Sequence, residues 1–289
     1  MSDALEKLLA YLEVERVDTN LFTGRSPERP LRIFGGQVLA QSLNAANRSV
    51  EPGRVAHSLH AYFIRPGNPY KQIVFDVDAT RDGGSFATRR VVAKQDARPI
   101  FITSVSFQTA EAGLEHQAAM PEVTPPEQLQ TDFEFWTEMA RRHPDRFDPP
   151  LTQAIERRVV ARRDYIDPQP SEPLLHTWMR AAGDLGDDPV RHQTLIAFMS
   201  DFALLGAALL PHPYTAHSKK IQAASLDHAI WFHRPGRADD YLLYTMDSTN
   251  AGGGRGFSRG QFFSRDGRLI ASTAQESLIR LRPAAQHDP

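Results

Sequence analysis

The string Phe63-x-Arg65-Pro66-Gly67 returns as Phe232-x-Arg234-Pro235-Gly236, an offset of 169 residues. At the same offset Asp78-x-Thr80 matches Asp247-x-Thr249, and Gly83-Gly84 matches Gly252-Gly253. Several gapless matches at one spacing mark a duplicated unit. Past the glycines an offset of 170 fits Asp96/Asp266 and Arg98/Arg268 better, which predicts one inserted residue within Gly252-Gly253-Gly254. With 289 residues, each copy is long enough to bury a core of its own. The expected division is a first unit over 1–110, a linker with a short helix over 111–150, and a second unit over 151–289.

Both copies carry the same order of elements. An early extended segment (13–24; 155–163) precedes an apolar helix (35–46; about 201–210), and four strands follow. In the first copy the strands are expected at 57–64, 73–80, 86–94 and 100–108, and in the second at 225–233, 241–249, 256–264 and 269–280. Phe101, Thr103, Val105 and Phe107 alternate as one face of a strand. Asp266-Gly267 between two extended runs is the best hairpin signal in the chain. A long antiparallel sheet following one helix, twice over, implies two sheets that each wrap a long apolar helix. The run 196–210, interrupted only by Ser200 and Asp201, suits such a buried helix. The segment 109–150 is proline-rich, with an amphipathic piece near 128–142, and reads as the surface connection.

Composition narrows the function. The chain is 41% hydrophobic and 24% charged, with a formal net charge of −2. Its basic pairs (Arg89-Arg90, Arg157-Arg158, Arg162-Arg163) sit among acids, so no nucleic-acid partner is expected. The absence of cysteine excludes a thiol nucleophile, a cysteine-ligated zinc and disulfides. His57/His60 and His228/His233 stand at odd separations in expected strands, pointing their rings to opposite faces, so no metal is expected. The start of the chain lacks a signal-peptide core, no segment approaches the roughly 20 apolar residues of a membrane span, and the last residues form no peroxisomal tripeptide. Cytoplasm is the default expectation.

Phe34-Gly35-Gly36-Gln37-Val38 before an apolar helix resembles the first-half signature of the acyl-CoA thioesterase II family. The second half carries longer and more specific strings: Ser225-Leu226-Asp227-His228-x-x-Trp231-Phe232-His233-Arg234-Pro235, then Gly254-Arg255-Gly256-Phe257 and Ser272-Thr273-Ala274-Gln275-Glu276. The resemblance spans nearly the whole chain. It implies an α+β double-hotdog fold and hydrolysis of fatty acyl-CoA to free acid and CoA without a cofactor. It also implies a catalytic trio of Asp201, Ser225 and Gln275, with serine where relatives carry threonine.

The chemistry of these residues is consistent with that role. A carboxylate beside Phe202-Ala203-Leu204-Leu205 is costly to bury unless hydrogen-bonded, and burial should raise its pKa towards neutrality. On the residues alone, Ser200-Asp201 reads equally well as a helix N-cap, and the two roles are compatible. Gln275, between Thr273 and Ser277 on one strand face, can both donate to and accept from a water. Gly83-Gly84-Ser85-Phe86-Ala87 misses the nucleophile-elbow pattern at its last position. The expected mechanism is therefore direct attack by a water that Asp201 deprotonates and Ser225 and Gln275 position. Backbone N–H groups at Gly35-Gly36-Gln37, or at the start of the second helix, would receive the oxyanion. Arg255 and Arg259 are the candidates for the CoA phosphates. The rival readings are a hotdog enoyl-CoA hydratase or dehydratase, to which Asp227-His228 offers only oppositely facing groups, and a non-catalytic acyl-CoA binder. A homodimer or higher homo-oligomer is compatible with the sequence.

Overall fold

A computed structural model describes residues 2–27, 32–150 and 153–282; the C-terminal residues read above for a targeting tripeptide lie outside this range. The first half runs α1 (Asp3–Leu12), β1 (Glu15–Asp18), β2 (Leu21–Gly24), α2 (Gly35–Asn47), β3 (Arg54–Phe63), β4 (Ile73–Asp82), β5 (Phe86–Gln95) and β6 (Arg98–Thr109). A connection bearing α3 (Asp132–Arg142) leads to β7 (Ile155–Val159), β8 (Leu174–Ala181), α4 (Pro189–Ser200) and α5 (Leu204–Leu209). The chain then finishes with β9 (Ile221–Ser225), β10 (Asp227–Phe232), β11 (Leu242–Gly252), β12 (Arg255–Ser264) and β13 (Leu269–Leu281).

The strands form one antiparallel sheet in the order β1-β2-β4-β5-β6-β3-β10-β13-β12-β11-β8-β7, with β9 also on β13. Read from either end, the order is the same, as a duplicated α+β double hotdog requires. The halves join where β3 pairs β10, and there His60 faces Ala229. Those two residues are equivalents at the 169 offset, so the pseudo-twofold axis passes through this pair.

Strand register also locates the insertion, and corrects the expectation. Asp82 pairs Ala87 as Ala251 pairs Gly256, so the offset is 169 on both sides of Gly252-Gly253-Gly254. Lys94 pairs Pro99 whereas Phe263 pairs Leu269, which puts the extra residue in the turn between β12 and β13. The first copy turns there on Asp96 and Ala97, both at positive φ (49° and 60°); the second uses a longer turn with Gly267 at φ 84°.

Each half of the sheet encloses a helix. Leu39 and Leu43 of α2 and Leu195 and Met199 of α4 are fully buried, facing Phe101, Val105 and Phe107 on the inner face of β6 and their counterparts in the second half. Truncating one such phenylalanine to alanine costs about 3–5 kcal/mol. Polar groups on these helices are satisfied internally: Gln41 donates to Tyr11 O at 2.6 Å and Arg25 O at 2.9 Å, and Gln193 to Ala56 O at 2.7 Å.

The second helix differs from the expectation of 201–210. Asp188 caps Val190 N–H at 2.9 Å, Pro189 opens the helix, and α4 ends at Ser200. Ala203 then takes a left-handed conformation (φ 71°), which breaks the helix before the short α5. Arg191, His192, Gln193 and Thr194 hid the first half of α4 from an apolar-run criterion. By length and hydropathy alone Pro189–Leu209 would suit a membrane span, more than the sequence reading allowed, but 72% of that window is buried inside the protein.

The connection does more than cross the surface. Met120, Val123 and Leu129 cover an apolar cluster of Trp178, Tyr241, Leu243, Phe263 and Leu269, and Trp178 Nε1 donates to Thr124 O at 3.0 Å. A capping box of Thr131 and Glu134 starts α3. Buried Asp132 then pairs with Arg157 and Arg162, each at 2.6 Å.

Candidate active site

Asp201 sits at the C-cap of α4, with φ −83° and ψ −2°, instead of at a helix N-cap. Its carboxylate points at the start of the other central helix, where Gly36 N–H donates to Oδ2 at 2.9 Å. Two helix ends of opposite polarity thus meet at this side chain, and only that of α2 favours a negative charge. The approach depends on glycine. A Cβ on Gly35 would lie 2.6 Å from Asp201 Oδ2, and one on Gly36 would lie 2.4 Å from Phe198 O.

Ser225 ends β9. Its partner across the ladder is Ser277, whereas Ala229 pairs Ala274, so one extra residue bulges between them. Asp227 fills the bulge by accepting from Glu276 N–H at 2.6 Å, which makes it a structural carboxylate. The kink aims the Ser225 hydroxyl at Asp201 Oδ1, to which it donates at 3.1 Å. Gln275 lies on the inner face of β13 with Thr273 and Ser277, all three buried. Its Nε2 donates to Ser225 Oγ at 3.1 Å and to Ser277 Oγ at 3.0 Å. Asp201, Ser225 and Gln275 therefore form one hydrogen-bonded chain, and all three line a cavity of about 1180 Å³.

Burial raises the Asp201 carboxyl from 3.8 to about 7, against the opposing pull of Ser225, Gly36 and the Arg32 charge. The residual exposure of this side chain opens into the cavity. Its neighbour Ser200 hydrogen-bonds His228 Nε2 at 2.8 Å, and His228 Nδ1 meets Gln275 Oε1 at 2.8 Å. Burial pushes His228 down to about 4, leaving the ring neutral. His228 enters the sequence reading only as a metal ligand or as a partner of Asp227, and this contact is not anticipated there; the Leu226-Asp227-His228 string is its only trace in the sequence.

Of the three residues proposed for the oxyanion, only Gly35 lines the cavity. Gly36 N–H is committed to Asp201, and Gln37 N–H to Phe34 O at 3.1 Å. The Gln37 side chain turns away and donates to Ser26 Oγ at 2.8 Å, fastening the segment after β2. The second-helix start expected near 201 corresponds to α5, whose N-terminal residues Ala203, Leu205 and Gly206 do line the cavity, whereas the start of α4 at Pro189 does not. Arg255 and Arg259 also lie outside the cavity. Each is held in a cross-strand ion pair on the exposed face of β12, with Glu276 (2.8 Å) and Asp247 (2.5 Å) respectively. The cavity instead presents other arginines. Arg157 and Arg162 share the single carboxylate of Asp132, and Arg163 donates to the carbonyls of Leu209, His212 and Tyr214. Arg32, Arg65 and Arg282 are exposed and form no ion pair among the described residues. His233 bonds Ser272 Oγ at 2.8 Å and does not reach the cavity.

Comparison with known proteins agrees with this architecture. A family model described as acyl-CoA thioesterase matches residues 150–278, and one described as acyl-CoA thioesterase N-terminal domain matches 24–108. Human acyl-coenzyme A thioesterase 8 is 40% identical over 284 residues, covering 94% of this chain and 88% of the human protein. Acyl-CoA thioesterase 2 of Haemophilus influenzae is 38% identical, covering 97% and 99%. The crystal structure of an acyl-CoA thioesterase II from Mycobacterium marinum superposes with a TM-score of 0.79 at 40% identity, covering 97% of this chain and 99% of that one. With the paired hotdog halves, the cavity at their junction and this similarity along nearly its whole length, the chain belongs to the acyl-CoA thioesterase II family of thioester hydrolases.

Proposed function

We propose that the protein hydrolyses fatty acyl-CoA to free acid and CoA by direct attack of a water that Asp201 deprotonates. The observation that carries this reading is the continuous chain from Gln275 through Ser225 to a carboxylate poised near neutrality. The Ser225 hydroxyl donates to Asp201 and accepts from Gln275, and in this reading its remaining lone pair orients the water. The water oxygen bonds to the thioester carbon while its proton passes to Asp201. Gly35 N–H, at the first turn of α2 and without an acceptor among the described residues, receives the developing oxyanion. Collapse expels a thiolate whose parent thiol has a pKa of about 8.5, so little acid assistance is required.

The CoA phosphates meet Arg32, Arg65 and Arg282 in this reading, because these cavity arginines are exposed and, among the described residues, give at most one bond to a carbonyl (Arg32 to Ala223 O, Arg65 to Pro99 O). Arg157 and Arg162 are instead tied to Asp132, and Arg163 to several carbonyls. The acyl chain takes the apolar part of the cavity, past Leu205, Gly206 and Leu209. The test is a thiol-release screen across acyl-CoAs of graded length, with enoyl absorbance followed in parallel. Thiol release from saturated acyl-CoAs supports hydrolysis; change in enoyl absorbance without thiol release would contradict it.

A further inference from the structure

We propose that His228 is a positioning residue for this reaction, holding the Gln275 amide in the one orientation that lets Ser225 donate to Asp201. The inference rests on Gln275 acting as a water-positioning group. It follows from counting protons around the network. Asp201 Oδ1 accepts from the Ser225 hydroxyl at 3.1 Å. Ser225 has a single proton, so the Gln275 atom 3.1 Å from its oxygen has to be a donor, the amide nitrogen. The amide oxygen then faces His228 Nδ1 at 2.8 Å, and that ring nitrogen has to carry hydrogen. A neutral ring leaves Nε2 as acceptor, 2.8 Å from Ser200 Oγ. Counting from an ionised Asp201, the donors run in one direction: His228 to Gln275, Gln275 to Ser225, Ser225 to Asp201. Ser200 Oγ shares its one hydrogen between His228 Nε2 at 2.8 Å and Ala197 O at 2.7 Å. Ser200 and Asp201 are adjacent in the chain, so the backbone at the end of α4 closes the circuit. Tyr244 OH anchors that closure by donating to Ser200 O at 2.9 Å.

A flipped amide would undo this direction. Its oxygen would compete with Asp201 for the one Ser225 proton. Ser277 cannot prevent the flip, because its hydroxyl can either accept from or donate to the amide end that faces it. His228 distinguishes the two orientations as long as its Nε2 accepts from Ser200, which keeps the ring hydrogen on Nδ1.

The test is a double-variant series assayed by thiol release. His228→Leu removes the donor, and His228→Asn restores one near the Nδ1 position. His228→Leu is expected to lower kcat on the order of 10–100-fold with KM within about twofold, and His228→Asn to recover most of the loss. In a Gln275→Ala background, His228→Leu should add no further loss, because the group it orients is gone. Ser200→Ala, which deletes one hydroxyl, should show a smaller kcat loss with the same dependence on Gln275 and serves where His228→Leu fails to fold. Wild-type kcat in His228→Leu, or losses that multiply with Gln275→Ala, would overturn the role of His228 alone. Wild-type kcat in Gln275→Ala itself would overturn both this inference and the proposed function beneath it.

Discussion

Val105 on β6 holds in the first unit the place that Gln275 holds in the second, the two strands being related by an offset of 170. Ala56 likewise stands where Ser225 does, pairing Phe107 as Ser225 pairs Ser277. Leu59 takes the place of His228. All three first-unit residues are buried and apolar. The duplicated fold offers two pseudo-equivalent positions, and only one retains polar groups. A non-hydrolysable acyl-CoA thioether is accordingly expected to titrate with one site per chain by calorimetry. Two equivalent sites per chain would contradict the asymmetry.

Activity should follow the ionisation of Asp201. With its carboxyl raised to about 7, kcat rises with pH through that region and levels above it. A kcat profile flat from pH 5 to pH 8 would count against Asp201 as the base.

Stability should move the other way. Because the Asp201 pKa is raised from 3.8 to about 7 on folding, its stabilising protonation is fully present below 3.8 and lost as pH rises through 7. Asp201→Asn should therefore match the wild type near pH 4 and exceed it at pH 8, by at most about 4 kcal/mol. His228, lowered from 6.5 to about 4, has the opposite sign, its stabilisation being lost as pH falls through 4; it is common to both proteins and cancels in the comparison. Urea unfolding at the two pH values measures the difference, and an Asn variant less stable at pH 8 would oppose the burial argument.

The cations at the cavity rim give a contrast. Replacing Arg32, Arg65 and Arg282 with alanine should raise KM for acyl-CoA, by about 10-fold for the triple variant, and flatten its salt dependence. Arg255→Ala and Arg259→Ala should leave KM unchanged, since both side chains are paired on the outer face of β12. A raised KM in the latter two, with the triple variant unaffected, would return the phosphates to the first expectation.

Gly206 lines the cavity, and a Cβ placed there meets no atom within 4 Å. Gly206→Leu should improve the helix and fill the acyl path. Thiol release should fall about 10-fold or more for long chains with short chains spared, a one-to-few-methylene pocket effect summed over several carbons. An unchanged chain-length profile would show that the acyl group runs elsewhere.

The repeat and the period-two strands made the duplicated sheet legible in the sequence, because short strings at one offset survive in turns that the fold cannot vary freely. Of the proposed trio, Ser225 and Gln275 stand within long second-half strings, whereas Asp201 came only from its place on the second helix. The boundaries of α4 were not: its first turns carry Arg191, His192, Gln193 and Thr194, and the partners that make them tolerable in a core come from distant segments such as Ala56. The placement of Arg255 and Arg259 outside the cavity was hidden for a related reason. Arg255 and Arg259 lie beside a recognisable turn, but which face of β12 they occupy depends on alternation, and Gly256, Ser258 and Gly260 hold the inner one.

The most direct measurement is thiol release by Asp201→Asn under saturating acyl-CoA, beside its thermal unfolding. The account predicts a folded protein with kcat lower by about 10²–10⁴-fold. A folded Asn variant turning over at the wild-type rate would contradict it.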